Sequence, residues 1–146
     1  MRILVLQGPN LNLLGHREPE IYGTLSLSQI HEMMLIHASK AAIALSLDFY
    51  QSNHEGALID RIQGASRNFD ALIINPAAYT HYSIAIRDAI ATLQIPIIEV
   101  HLSQLEKRED FRQTNVIRDV VTTHFQGKGA QSYIDALDYL IDTSNR

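Results

Sequence analysis

Three groups of polar side chains stand directly behind apolar, strand-like runs, and each holds residues able to move protons or bind oxygen. Asn10 and Asn12 follow residues 2–7 (RILVLQ), and residues 75–81, from Asn75 to His81, follow residues 70–74 (DALII). Residues 97–101 (IIEVH) end in His101, with Leu102 and Ser103 next. A fourth group, Arg17, Glu18, Glu20 and Tyr22, lies in the connection from Gly8 to Gly23. Imidazole and phenol are proton-transfer groups, amides stabilise developing negative charge without donating a proton, and arginine clamps carboxylates. Each residue also has a plainer use. Tyr22 can pack a loop onto the body, His101 can be a hydrogen-bonded strand end, and Asn10 can be a turn residue after Pro9. Asn75 and His81 can brace a loop or cap a helix, and Arg112 can form a surface ion pair with Glu109 or Asp110.

Positioning these groups requires alternating strands and helices. Residues 26–45 carry apolar side chains at Leu27, Ile30, Met34, Ala38, Ala41 and Leu45, a helical spacing, and Ser26 with Gln29 forms a capping-box pattern at its start. Residues 46–51 alternate as a strand, 55–67 form a short amphipathic helix, and 81–93 read as a helix. A fifth strand falls within residues 116–124 and a last helix within 130–142. This β-α repetition implies an α/β protein of flavodoxin-like type, with a five-stranded parallel sheet and helices on both faces, within one domain over residues 1–146. Ligands bind such sheets beyond the carboxyl ends of the strands, where the three polar groups fall. The connection from Gly8 to Gly23 exceeds the usual two to six residues, and the segment from about 15 to 24 reads as a lid.

The totals narrow the function classes. Twelve basic and sixteen acidic residues give a net charge of −4, which offers no electrostatic footprint for nucleic acid. The absence of cysteine excludes disulfides, thiolate chemistry and cysteine-ligated metal. The seven histidines show no metal-pair spacing, so no metal is expected. Residues 1–6 run straight into a strand rather than a signal peptide, and no apolar run suits a membrane helix. A cytoplasmic protein is the expectation. The loop after the first strand is too apolar to cradle a phosphate, and Asn75 stands where a phospho-receiver would need an aspartate.

Residues 8–23 (GPNLNLLGHREPEIYG), 75–83 (NPAAYTHYS) with Ile86, Arg87 and Asp88, and 99–103 (EVHLS) with Arg108 to Arg112 resemble the type II 3-dehydroquinate dehydratases. Residues 51–56 (QSNHEG) match as well, so the resemblance spans nearly the whole chain. It implies a hydro-lyase that converts 3-dehydroquinate to 3-dehydroshikimate by anti elimination through an enolate. The reaction needs no cofactor and no Schiff base, and it belongs to aromatic biosynthesis or quinate breakdown. It also implies a dodecamer built from trimers.

Carried over residue by residue, the resemblance makes Tyr22 the base and His101 the acid. Asn10 holds the enolate oxygen or a water, Arg17 belongs to the lid, and Glu99 orients or tunes His101. Asn75, His81, Leu102, Ser103 and Arg112 bind substrate, and Asp88 reaches a neighbouring subunit's site. A free tyrosine has a pKa of about 10. A cation at about 4 Å and an effective dielectric of about 20 is worth roughly 4 kcal/mol, or at most about three pKa units. Arg17 or Arg112 is expected to supply that charge to Tyr22. Ala57, Tyr82, Gln104, Asn115 and Thr123 depart from the family pattern, and none is a proposed proton-transfer residue.

Overall fold

A computed structural model describes all 146 residues. The strands are β1 (Arg2–Gln7), β2 (Ser46–Gln51), β3 (Ala71–Asn75), β4 (Ile97–His101) and β5 (Thr123–Gln126). The helices are a single turn α1 (Pro19–Tyr22), then α2 (Leu27–Ser39), α3 (Glu55–Asn68), α4 (Ile84–Ala91) and α5 (Gln131–Ser144). All strands are parallel, in the order β2-β1-β3-β4-β5. This is the flavodoxin-like order, with its switch point beside β1 and β3.

The central strands are continuous apolar runs because helices cover both of their faces. Ile3, Val5, Ile73, Ile98 and Val100 pack against Ile30 and Met34 of α2 and Tyr133, Leu137 and Leu140 of α5. On the other face Leu4, Leu6, Leu72 and Ile74 meet Leu58 and Ile62 of α3 and Ile86 and Ile90 of α4. No helix is long and apolar enough to cross a membrane.

Ser26 caps α2 with the expected box: its hydroxyl accepts from Gln29 N, and Gln29 Oε1 accepts from Ser26 N. Three boundaries differ from the sequence reading. The helix expected over 26–45 ends at Ser39. The N-terminal strand pulls the following residues out of helix: the Met1 ammonium donates to Ala44 O, and Ser46 N donates to Met1 O. The segment expected as a helix over 81–93 begins instead with a 3-10 turn (Ala77–His81), and α4 starts only after Ser83, whose hydroxyl accepts from Ile86 N. The fifth strand occupies Thr123–Gln126 rather than 116–124. Residues 116–122 are diverted to side-chain and loop contacts, with Val116 N bound to Thr80 O and the Thr122 hydroxyl accepting from Ile97 N.

Candidate active site

The rim of the sheet is built by strand ends. β1 leads to Gly8, whose N–H donates to Asn75 O at 2.8 Å. A Cβ at Gly8 would lie 2.4 Å from Pro76 O, so only glycine lets these two strand ends approach. The chain then enters a left-handed turn at Asn10 (φ 67°), a conformation asparagine tolerates. Asn53, from the loop after β2, fixes that turn by accepting from Asn10 N at 2.9 Å. On β3's side, Ala77 adopts φ 52°, which costs a residue with a Cβ about 1–2 kcal/mol. Such strain concentrates at functional sites.

Between these turns lies a cleft of about 520 Å³, open solvent included, a size suited to a small molecule. Nine of the eleven residues singled out in the sequence line it: Asn10, Arg17, Tyr22, Asn75, His81, His101, Leu102, Ser103 and Arg112. Glu99 stands behind His101, fully buried, and receives its Nε2 at 2.6 Å. Asp88 is exposed on α4 and does not line this chain's cleft.

Glu99 is the electrostatic anchor. Its carboxylate also accepts from Asn115 Nδ2 at 2.6 Å and from Arg118 Nε at 2.7 Å. Burial by itself pushes this carboxyl up, but the hydrogen bonds and positive charge of His101 and Arg118 hold it down at about 2. An ionised Glu99 fixes His101 Nε2 as a donor, and Nδ1 is the ring nitrogen without a protein partner. His81 Nδ1 donates to Thr114 O at 2.7 Å, which leaves its Nε2 as an acceptor. Burial holds His81 below the ordinary histidine range, against the Thr114 hydrogen bond, and Arg112, His101 and Arg108 add to the lowering.

Tyr22, at the end of the single-turn α1, lies between two guanidiniums. Arg17 is over its ring at 5.0 Å, and Arg108 Nη2 donates to its hydroxyl at 3.1 Å. Of the two cations expected beside Tyr22, Arg17 is in place over the ring, whereas Arg112 makes no contact with it, and Arg108, not expected there, makes the hydrogen bond. Arg112 is held at Nε by Glu109 at 2.6 Å, the ion pair its neighbours suggested, while still lining the cleft. Arg108 Nη1 also donates to Ser103 Oγ at 3.1 Å, tying α1 to the end of β4. The backbone N–H groups of Leu102 and Ser103 donate to no acceptor in the chain, which leaves them available to an anion. No group of three or more histidine, aspartate or glutamate side chains is placed to hold a metal ion.

Sequence reasoning missed three contributors. Arg108 was legible only as one charge in a run, four residues before Arg112. Asn115 was noted only as a departure, yet it supports Glu99 and receives the N–H groups of Ile117 and Arg118 at its Oδ1. Arg118 carries no local signal, because its partner lies nineteen residues earlier.

A rim with a phenol between arginines, an imidazole on a buried carboxylate, and free N–H donors suits acid–base chemistry on a small anionic molecule. Comparison with known proteins agrees. Residues 1–141 match the family described as dehydroquinase class II. The chain is 55% identical over 139 residues to the 3-dehydroquinate dehydratase of Bordetella pertussis, covering 94% of this chain and 95% of that protein. It is 50% identical over 143 residues to that of Roseiflexus castenholzii, covering 98% and 90%. The crystal structure of the type II dehydroquinase from Butyrivibrio crossotus superimposes with a TM-score of 0.92 at 46% identity, covering 96% and 97%. The chain belongs to the type II dehydroquinase family and is a hydro-lyase.

Proposed function

We propose that this enzyme dehydrates 3-dehydroquinate to 3-dehydroshikimate by cofactor-free anti elimination. The observation that carries the reading is the convergence of Tyr22, braced by Arg108, and His101, braced by Glu99, on one cleft. Tyr22, as phenolate, takes a proton from the carbon next to the ketone, and the C–H electrons move into an enolate. Arg108 and Arg17 stabilise the negative charge that Tyr22 must carry before the transfer. Asn10 steadies the enolate oxygen through a bound water or directly. The enolate then re-forms the ketone while the carbon–hydroxyl bond breaks. His101 protonates that oxygen, and water leaves. The substrate carboxylate rests on the Leu102 and Ser103 N–H groups and Arg112. Asn75 and the His81 acceptor bind ring oxygens.

Asp88 and Ile84 share the exposed face of α4, one turn apart, with Ile84 54% exposed. We read this face as a subunit contact that delivers Asp88 to a neighbouring cleft within a trimer, four trimers making a dodecamer. Family membership supports a place in aromatic biosynthesis or quinate breakdown, in the cytoplasm.

The test adds 3-dehydroquinate to the purified enzyme and follows the conjugated-enone absorbance of the product, with Tyr22→Phe in parallel. Loss of about 10²-fold or more in kcat for Tyr22→Phe is expected of a general base. A rise in absorbance that survives this substitution would remove Tyr22 from the role. No rise with wild type would leave a binding protein of the same fold.

A further inference from the structure

Behind the cleft runs a buried polar chain that the mechanism does not use. Tyr133 of α5 and Gln7 of β1 are both fully buried, and neither lines the cleft. Tyr133 Oη donates to Gln7 Oε1 at 2.6 Å and accepts from Asn75 Nδ2 at 2.9 Å. Gln7 Nε2 faces His31 Nε2 at 3.4 Å, and His31 is stacked on Phe49 with ring centroids 4.0 Å apart.

The direction of each bond is dictated by its neighbour. A tyrosine hydroxyl has one proton, and Gln7 Oε1 takes it. Tyr133 can then only accept from Asn75, so the amide nitrogen must face it. Ala77 N donates to Asn75 Oδ1 at 3.1 Å, which requires the same orientation from the opposite side. With its carbonyl engaged by the Tyr133 proton, Gln7 turns its amide nitrogen to His31, whose Nε2 must then be the unprotonated nitrogen. The Asn75 amide therefore has its oxygen engaged and one of its two N–H bonds engaged. One N–H remains, on a residue that lines the cleft.

We propose that Tyr133 and Gln7 are positioning residues that lock the Asn75 side chain so that it presents an N–H donor, and not its carbonyl, to the substrate. The cleft then requires a hydrogen-bond acceptor oxygen on the substrate at that point. Without Tyr133 the Asn75 amide keeps a single bond, from Ala77 N to its oxygen, to hold that orientation. The proposal rests on the reading of Asn75 as a substrate-binding residue.

The test is a double-mutant cycle in the full enzyme: wild type, Tyr133→Phe, Asn75→Ala and the double variant, with kcat and KM measured for 3-dehydroquinate. Tyr133→Phe is expected to raise KM about tenfold, with kcat changed less than about threefold. In the Asn75→Ala background Tyr133→Phe is expected to change KM no further, because the residue through which it acts is gone. An unchanged KM in folded Tyr133→Phe overturns the proposal, and so does a KM effect that adds fully to that of Asn75→Ala. If Tyr133→Phe does not fold, Gln7→Met replaces it. That change frees the Tyr133 proton to turn towards Asn75, so KM should rise in the same direction, and a wild-type KM overturns the proposal. A wild type inactive on 3-dehydroquinate would instead sink the dehydratase reading itself, a different outcome from a failed cycle in an active enzyme.

Discussion

At the scale of single residues, Tyr22 is held by a side chain outside its own loop. Arg108 reaches Tyr22 and Ser103 with two arms of one guanidinium, so it brings a positive charge to the hydroxyl and ties α1 to the end of β4 together. Lysine cannot reproduce that fork, since its ammonium is a point charge on a flexible stem. Arg108→Met is expected to lower kcat by tenfold or more, and Arg108→Lys to recover only part of it, in the same absorbance assay. Equal rates for all three proteins would separate Arg108 from the chemistry. Tyr22, His101 and Asn10 were visible as candidates from their places at or behind apolar strands, but their roles came only from the family resemblance. Arg108 was not visible, because nothing local says that a charge in a surface run turns inward to a residue 86 positions earlier.

At the scale of elements, the site depends on how closely β1 and β3 end beside one another. Gly8 is the contact point, and its substitution cannot be absorbed by a flexible side chain, because the neighbouring atoms are Pro76 backbone. Gly8→Ala is expected to destabilise the fold by about 2–3 kcal/mol, the upper range for overpacking, and to weaken substrate binding. Urea unfolding followed by circular dichroism checks the first effect. A loss under about 0.5 kcal/mol, the level of an ordinary surface change, would show that the strand ends part easily. The same scale explains the misplaced boundaries. The Ala41 and Leu45 spacing continued a helical pattern, but pairing of β1 with β2 required the chain to leave the helix at Lys40.

At the scale of the whole molecule, acid should unfold the protein in two overlapping windows. Burial lowers His31 to about 4, so the unfolded chain takes up a proton from near 6.5 downwards while the folded chain resists it. His81 and His124, also lowered mainly by burial, act in the same direction. Glu99, held at about 2, contributes stability that is present above about 4.5 and is lost as pH falls from there towards 2. Both windows have the unfolded state binding more protons, so stability falls as pH falls. The urea midpoint should decline from pH 6.5 and keep declining below 4.5 as Glu99 takes over from the histidines, and a midpoint flat from 7 to 4 would contradict these assignments. Assembly is a second property at this scale. If the proposed α4 contact builds trimers, Ile84→Glu should shift the sedimenting species towards the single chain, and activity should fall with it if Asp88 completes a neighbour's cleft. Unaltered sedimentation would place the contact elsewhere.

The local features were open to direct reading. Strand identity, the capping box of α2 and most of the polar rim follow from side-chain period, turn chemistry and short-range spacing, which are properties of neighbouring residues. The fold class was open as well, because β-α repetition with five strands leaves few topologies. Tertiary structure alone decided the support behind the rim. Glu99 stays charged in the core because Arg118 arrives from a segment that the sequence offered as a strand, and Asn115 from just before it. Asn75 faces the cleft in one orientation because Tyr133, 58 residues later, gives its proton to Gln7. Such bonds join residues that are distant in the chain, and their direction depends on which partner already holds each proton. No pattern along one segment carries that information.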